Sequence, residues 1–193
     1  TLIENENPNV QAPTGYSQWD VQQRMRWALR EGSLDVNVQH STTSDVPRFD
    51  VQNDLSGGQV KWAEWNYGPQ ERTMVATTFS RRIRGGAMWS TLASYQAIEE
   101  SRIKRRFGAE ERITQLEDVD VWGWASVLRG RRGGMNWETG MDGQWNDVVS
   151  IATSVNLQTG DLDKEWTRYA DGGSSMSTWG VFGAAGKSWG RQT

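Results

Sequence analysis

Hydrophobic positions along this chain change their spacing twice. Val21, Met25 and Ala28/Leu29 fall at i, i+4 and i+7/8; Ser17 stands where a cap would, with Asp20 three residues on. Gly32 supplies a stop, so the spacing predicts an amphipathic helix over 18–31, flanked by Trp19 and Trp27. From residue 33 the period shortens. Leu34-Asp35-Val36-Asn37-Val38-Gln39 alternates strictly, as a strand with one buried face does.

Segments of the same character follow at 48–52, 59–65 and 73–83, separated by the turn residues Ser56-Gly57-Gly58 and Asn66-Tyr67-Gly68-Pro69. Residues 94–117 have helical composition, broken near Gly108. Tyr95, Ile98 and the stem of Arg102 share one face there, and Ile113 and Leu116 another. Strand patterns resume at 119–128, 135–139, 148–158, 165–169 and 177–182. The fold expected is α+β and predominantly antiparallel β, a sandwich or barrel, with an N-terminal amphipathic helix and a helical insertion near 94–117. Residues 1–16 are polar, contain Pro8, Pro13 and Gly15, and read as an extended arm. Residues 17–193 read as a single β-rich domain.

Composition narrows the chemistry. The 193 residues include no Cys and one His, which removes disulfides, thiolate nucleophiles, cysteine zinc sites and multi-histidine metal sites. A net charge of −3 gives no overall attraction to nucleic acid or acidic membranes. The first residues have neither a basic region nor an apolar core, so they do not read as a signal peptide. The longest apolar run, Val121 to Leu128, is too short for a membrane helix, and no membrane span is expected. The expectation is cytoplasmic synthesis, with incorporation into a virion or other particle.

Local charge is segregated. Residues 71–132 hold 12 Lys and Arg against 8 Asp and Glu, between two acidic flanks. Arg84-Gly85-Gly86-Ala87-Met88-Trp89 is echoed by Arg132-Gly133-Gly134-Met135-Asn136-Trp137, with further Arg before each. Gly-Gly at these places predicts two hairpin turns, each trailed by a core Trp. Read functionally, the two copies would put paired guanidinium clusters at one rim, suited to phosphate or carboxylate.

Motifs that would carry catalysis fall short. Gly183–Ser188 ends in Gly-Lys-Ser, but Val181 occupies the place of the first glycine of a phosphate loop and no helix-length segment follows. His40 lies among Ser41, Ser44 and Asp45 on one polar stretch, where a converging triad is not expected. Asp118 and Asp120 would share one strand face, and Glu138 and Asp142 flank Gly140 beside Trp137 and Trp145, without a complete glycosidase pattern. Asp161, Asp163 and Glu165 resemble half of a calcium loop that lacks its glycine and distal Glu. No catalytic residue, metal or cofactor is expected.

Tryptophan is the anomaly, at 12 residues. Trp122 and Trp124 fall on one strand face, whereas Trp62 and Trp65 fall on opposite faces of a regular strand. Most are expected in a core, the rest at an interface or ligand surface.

The function expected is a non-enzymatic structural subunit of a homo-oligomeric assembly, of virion shell, tail or tube type, whose partners are other copies of itself and other assembly proteins. One alternative is a glycan-binding β-sandwich using exposed Trp. A second is a nucleic-acid-binding protein using the Arg-rich middle. Candidate interface or ligand residues are Arg81, Arg82, Arg84, Arg102, Lys104, Arg105, Arg106, Arg131, Arg132, Trp137 and Trp145.

Overall fold

The computed structural model describes residues 2–3, 15–48, 51, 55–56, 59–169 and 173–187. Seven long strands carry the fold: β1 (Tyr16–Leu29), β2 (Gly32–Thr43), β3 (Trp62–Arg82), β4 (Met88–Arg106), β5 (Glu111–Arg132), β6 (Met135–Asn156) and β7 (Ser174–Lys187). Each pairs antiparallel with its sequence neighbour, so spatial order equals chain order in one up-and-down sheet. Short segments add to it. Leu2–Ile3 pairs with the start of β1, Val46–Pro47 with β3, and Leu162–Lys164 with the far part of β6.

No helix occupies 18–31 or 94–117, and both helical expectations are corrected here to strand. At 18–31 the positions 21, 25 and 29 fit a helical stripe, but they are also all odd. With Trp19 and Trp27 they form a period-2 set broken only by Gln23, and pairing with β2 enforces that period. Residues 94–117 become the adjoining halves of β4 and β5, joined by a tight turn at Gly108, whose φ is +76°. Both strands are paired along these stretches, and that overrides local helix propensity.

Other expectations need smaller changes. The segments expected at 135–139 and 148–158 are one strand, β6. Residues 165–169 are not strand, and pairing falls instead on Leu162–Lys164. The arm expected over 1–16 and the strand expected over 48–52 lie largely outside the described residues, as does Trp189. Both Gly-Gly turns form as expected, with Gly85, Gly86, Gly133 and Gly134 all at positive φ.

The sheet has almost no core. Among the described residues the buried apolar side chains are Ala87 and Ala152, and no large side chain is fully buried. Neither face is covered by a second layer among the described residues. A globular domain of this length would bury most of its large apolar side chains, so the uncovered faces are the feature to explain.

Candidate functional site

Directly opposed residues in an antiparallel sheet project on the same side, so register assigns every strand residue to a face. One lateral row runs Gln23, Val38, Val75, Tyr95, Trp122, Trp145 and Ser177. The next row towards the β1–β2 turn runs Met25, Val36, Thr77, Ala93, Trp124, Gly143 and Trp179. The one after it runs Trp27, Leu34, Phe79, Thr91, Ser126, Met141 and Val181. This face is apolar.

The opposite face of the same stretch carries Arg24, Arg26, Asp35, Asn37, Gln39, Arg72, Gln96, Gln144 and Asn146. Its polar groups bond to one another. Arg24 and Arg26 reach Asp35 at 3.4 and 3.7 Å, and Arg72 Nε donates to Gln96 Oε1 at 2.7 Å. Gln22 Nε2 donates to Asn37 Oδ1 at 3.2 Å, and the Ser80 and Ser90 hydroxyls meet at 3.0 Å.

Eight tryptophans (Trp19, Trp27, Trp89, Trp122, Trp124, Trp137, Trp145 and Trp179) lie on the apolar face. Several are open to solvent, with Trp179 at 79%, Trp145 at 58% and Trp122 at 57%. They fill no core, which corrects the expectation for Trp89 and Trp137 as core residues trailing the turns.

Aromatic residues concentrate at the two borders of the apolar zone. Trp27, Phe79, Trp89 and Trp137 mark the border near the two-residue turns; Tyr95, Trp122 and Trp145 share one row at the other, with Trp19 two rows further out on β1 and Trp179 one row further in on β7. Neighbours within a border touch. Phe79 and Trp89 rings are 5.6 Å apart, and Tyr95 and Trp122 rings 4.4 Å apart. Trp89 Nε1 donates to Ser126 Oγ at 2.9 Å, so that indole's polar atom is satisfied within the face. On β6, Trp137 and Trp145 are eight residues apart. That is about 27 Å along the strand, or about 21 Å along the normal of a membrane crossed at a strand tilt near 40°.

Beyond each border the face becomes charged, with opposite signs. Glu71, Glu99, Asp118, Asp120 and Asp147 follow the Tyr95–Trp122–Trp145 border. At the other end the apolar face carries Arg81, Arg132 and Lys187, with Arg30, Glu31 and Arg84 in the turns and Arg82, Arg129, Arg131 and Glu138 on the polar face of the same rim. The connections differ too. The basic end is closed by Arg30-Glu31, by residues 83–87 and by Gly133-Gly134, whereas two of the three acidic-end connections span 44–61 and 157–173.

The candidate residues from the sequence therefore divide. Arg81, Arg82, Arg84, Arg131, Arg132 and Trp137 gather at the turn end, so the two Arg-Gly-Gly copies do share one rim. Trp145 stands at the opposite border. Arg102, Lys104, Arg105 and Arg106 lie at the far end of β4, beyond the carboxylates. Arg105 and Arg112 both donate to Glu64, each at 2.9 Å. Arg102 reaches Glu100 at 3.2 Å and Glu117 at 3.5 Å, and its guanidinium lies 5.7 Å from the Tyr67 ring centre.

Trp62 and Trp65 oppose Arg106 and Lys104 on one face, against the expectation of opposite faces, because a bulge between Trp62 and Glu64 inserts a residue. His40 Nδ1 meets Thr73 Oγ1 at 2.9 Å on the apolar face, whereas Ser41 projects from the other. Asp118 and Asp120 share a face, as expected. Glu138 and Asp142 share the polar face, and Arg129 lies 3.8 Å from Glu138. Among the described residues no group of three acidic or His side chains is placed to hold a metal ion.

No protein-family description matches the chain, and neither a curated protein nor a solved structure does.

Sequence reading missed the apolar face. The signal was available as parity in β1 and β6, where nearly all large apolar residues share odd numbering with the tryptophans, but in β4 and β5 Leu92, Ile98, Val119, Val121 and Val127 take the other parity and blur it.

Proposed function

We propose that the seven strands are part of the wall of a membrane-spanning β-barrel, with the tryptophan face towards lipid and the polar face towards an aqueous interior. The observation that carries this reading is the placement of eight strand tryptophans on one uncovered face, concentrated at two borders of an aliphatic zone. Outward-facing bands in such barrels are about 25 Å tall and bordered by aromatic girdles. Moving a large apolar side chain out of water contributes about 1.5–3 kcal/mol. With this many exposed together, covering the face dominates every surface ion pair, each worth about 1 kcal/mol or less.

The strands span where a helix is not needed; no helix among the described residues is long and apolar enough to cross a membrane. In hydrocarbon every backbone group must be paired, so the outer edges of β1 and β7 require partner strands. Leu2–Ile3 already takes the outer edge of β1 at Tyr16 and Ser17.

A second reading keeps the structural subunit expected from sequence. The same uncovered face and the two sheet edges could be met by other copies in a soluble shell or tube. Aromatic borders and the flip of charge across the zone favour lipid over that alternative. Refolding into phosphatidylcholine vesicles containing brominated acyl chains separates the two. The barrel reading expects strong quenching of tryptophan emission. A soluble oligomer with emission quenched by iodide instead, and untouched by brominated lipid, would overturn it.

A further inference from the structure

We infer that the basic end of the apolar face is a docking surface for the headgroups of anionic phospholipids, and that it fixes which way the sheet sits in the bilayer; this rests on the membrane reading above. Arg81 stands on the apolar face in the row of Trp89, one strand away. Arg132 and Lys187 flank Met135 in the row just outside Trp137. All three therefore project on the lipid side, at the level where the aromatic border meets the headgroups. Arg81 and Arg132 are exposed, and Arg81 is 60% exposed even with Glu31 3.8 Å away.

The complementarity is one of sign. The two lipid-side rows next beyond the opposite border hold five carboxylates and no Lys or Arg, with Arg105, Arg112 and Lys164 only further out on that face, so exchanging the two ends would place those carboxylates against phosphate. Guanidinium groups suit phosphate oxygens through paired N–H donors, and indole borders hold such groups at headgroup depth. Each basic side chain near an anionic surface raises partitioning roughly fivefold, an effect that salt screens. A free phosphate ion would gain the charge contact but not the neighbouring apolar border.

The test compares the full chain with a triple Arg81→Gln, Arg132→Gln, Lys187→Gln variant, in vesicles of phosphatidylcholine alone or mixed with phosphatidylglycerol. Insertion is read by brominated-lipid quenching. The wild-type chain is expected to prefer the mixed vesicles, at low salt, by about a hundredfold more than the triple variant. The variant should enter neutral vesicles as the wild type does, and Arg81→Lys with Arg132→Lys should retain the preference. Inorganic phosphate should not compete. Equal insertion of the wild type into both vesicles overturns this inference and leaves the barrel reading standing. Insertion into neither overturns both.

Discussion

Trp124 and Gly143 are directly opposed on β5 and β6, and the indole lies across the glycine. A Cβ at Gly143 would stand 2.5 Å from Nε1 of that ring. The same arrangement recurs between Trp137 and Gly130 on the apolar face, and between Phe182 and Gly140 on the polar face. Glycine inside a strand normally weakens it, because nothing packs there. Here the opposed ring supplies the packing that the missing side chain would have given. Gly143→Val is expected to displace Trp124 and destabilise the sheet by about 1–3 kcal/mol, the usual cost of overpacking. Urea unfolding in detergent micelles, followed by tryptophan emission, checks both the size and the local change.

The two faces should respond differently to one charge. Val36 lies mid-zone on the apolar face and its neighbour Asn37 on the polar one. Val36→Arg is expected to cost about 2–4 kcal/mol in a bilayer, and Asn37→Arg well under half of that. Equilibrium unfolding from vesicles measures the difference, and equal costs at the two sites would remove the distinction between faces.

Depth should sort the tryptophans. Trp62 and Trp65 lie on the polar face beyond the carboxylates, whereas Trp122 and Trp145 lie on the apolar face at its border. Single-Trp variants retaining Trp145 should be quenched by brominated lipid, and those retaining Trp65 only by iodide.

Glu64 joins β3 to Arg105 of β4 and Arg112 of β5. All three groups are partly exposed, so Glu64→Ala is expected to change global stability by about 1 kcal/mol or less. Its effect should be local. Hydrogen exchange should quicken around 104–113 and remain unchanged across 73–79 and 122–128.

How far the sequence reveals this structure depends on where each segment sits. Leu34–Gln39 reads correctly as a strand because one side is apolar and the other polar, 119–128 because it is a short apolar run rich in Val and Trp, and the Gly-Gly hairpins because only glycine takes such turns readily. Residues 18–31 misled because Val21, Met25 and Leu29 satisfy a four-residue spacing and a two-residue spacing together. Residues 99–113 misled for another reason. Beyond the carboxylate row charged and polar groups occupy both faces, so alternation disappears and only composition remains to be read. Trp62 and Trp65 show a third cause, since a bulge has no mark in the spacing of the residues it shifts. The site itself was legible residue by residue but not as a surface. The rows across the face combine residues from all seven strands, and only the register brings them together.

Six antiparallel pairings separate β1 from β7, so the two outermost strands point the same way. A ring closed by joining β7 to β1, in one molecule or between identical neighbours around a common axis, would contain a parallel joint at each such meeting. Parallel bonds are slanted and slightly weaker per residue than the antiparallel ones elsewhere in the sheet. Inserting an odd number of further strands restores alternation throughout. The number of staves thus decides whether the wall is uniform or carries a seam, and a seam would be where it parts first under load.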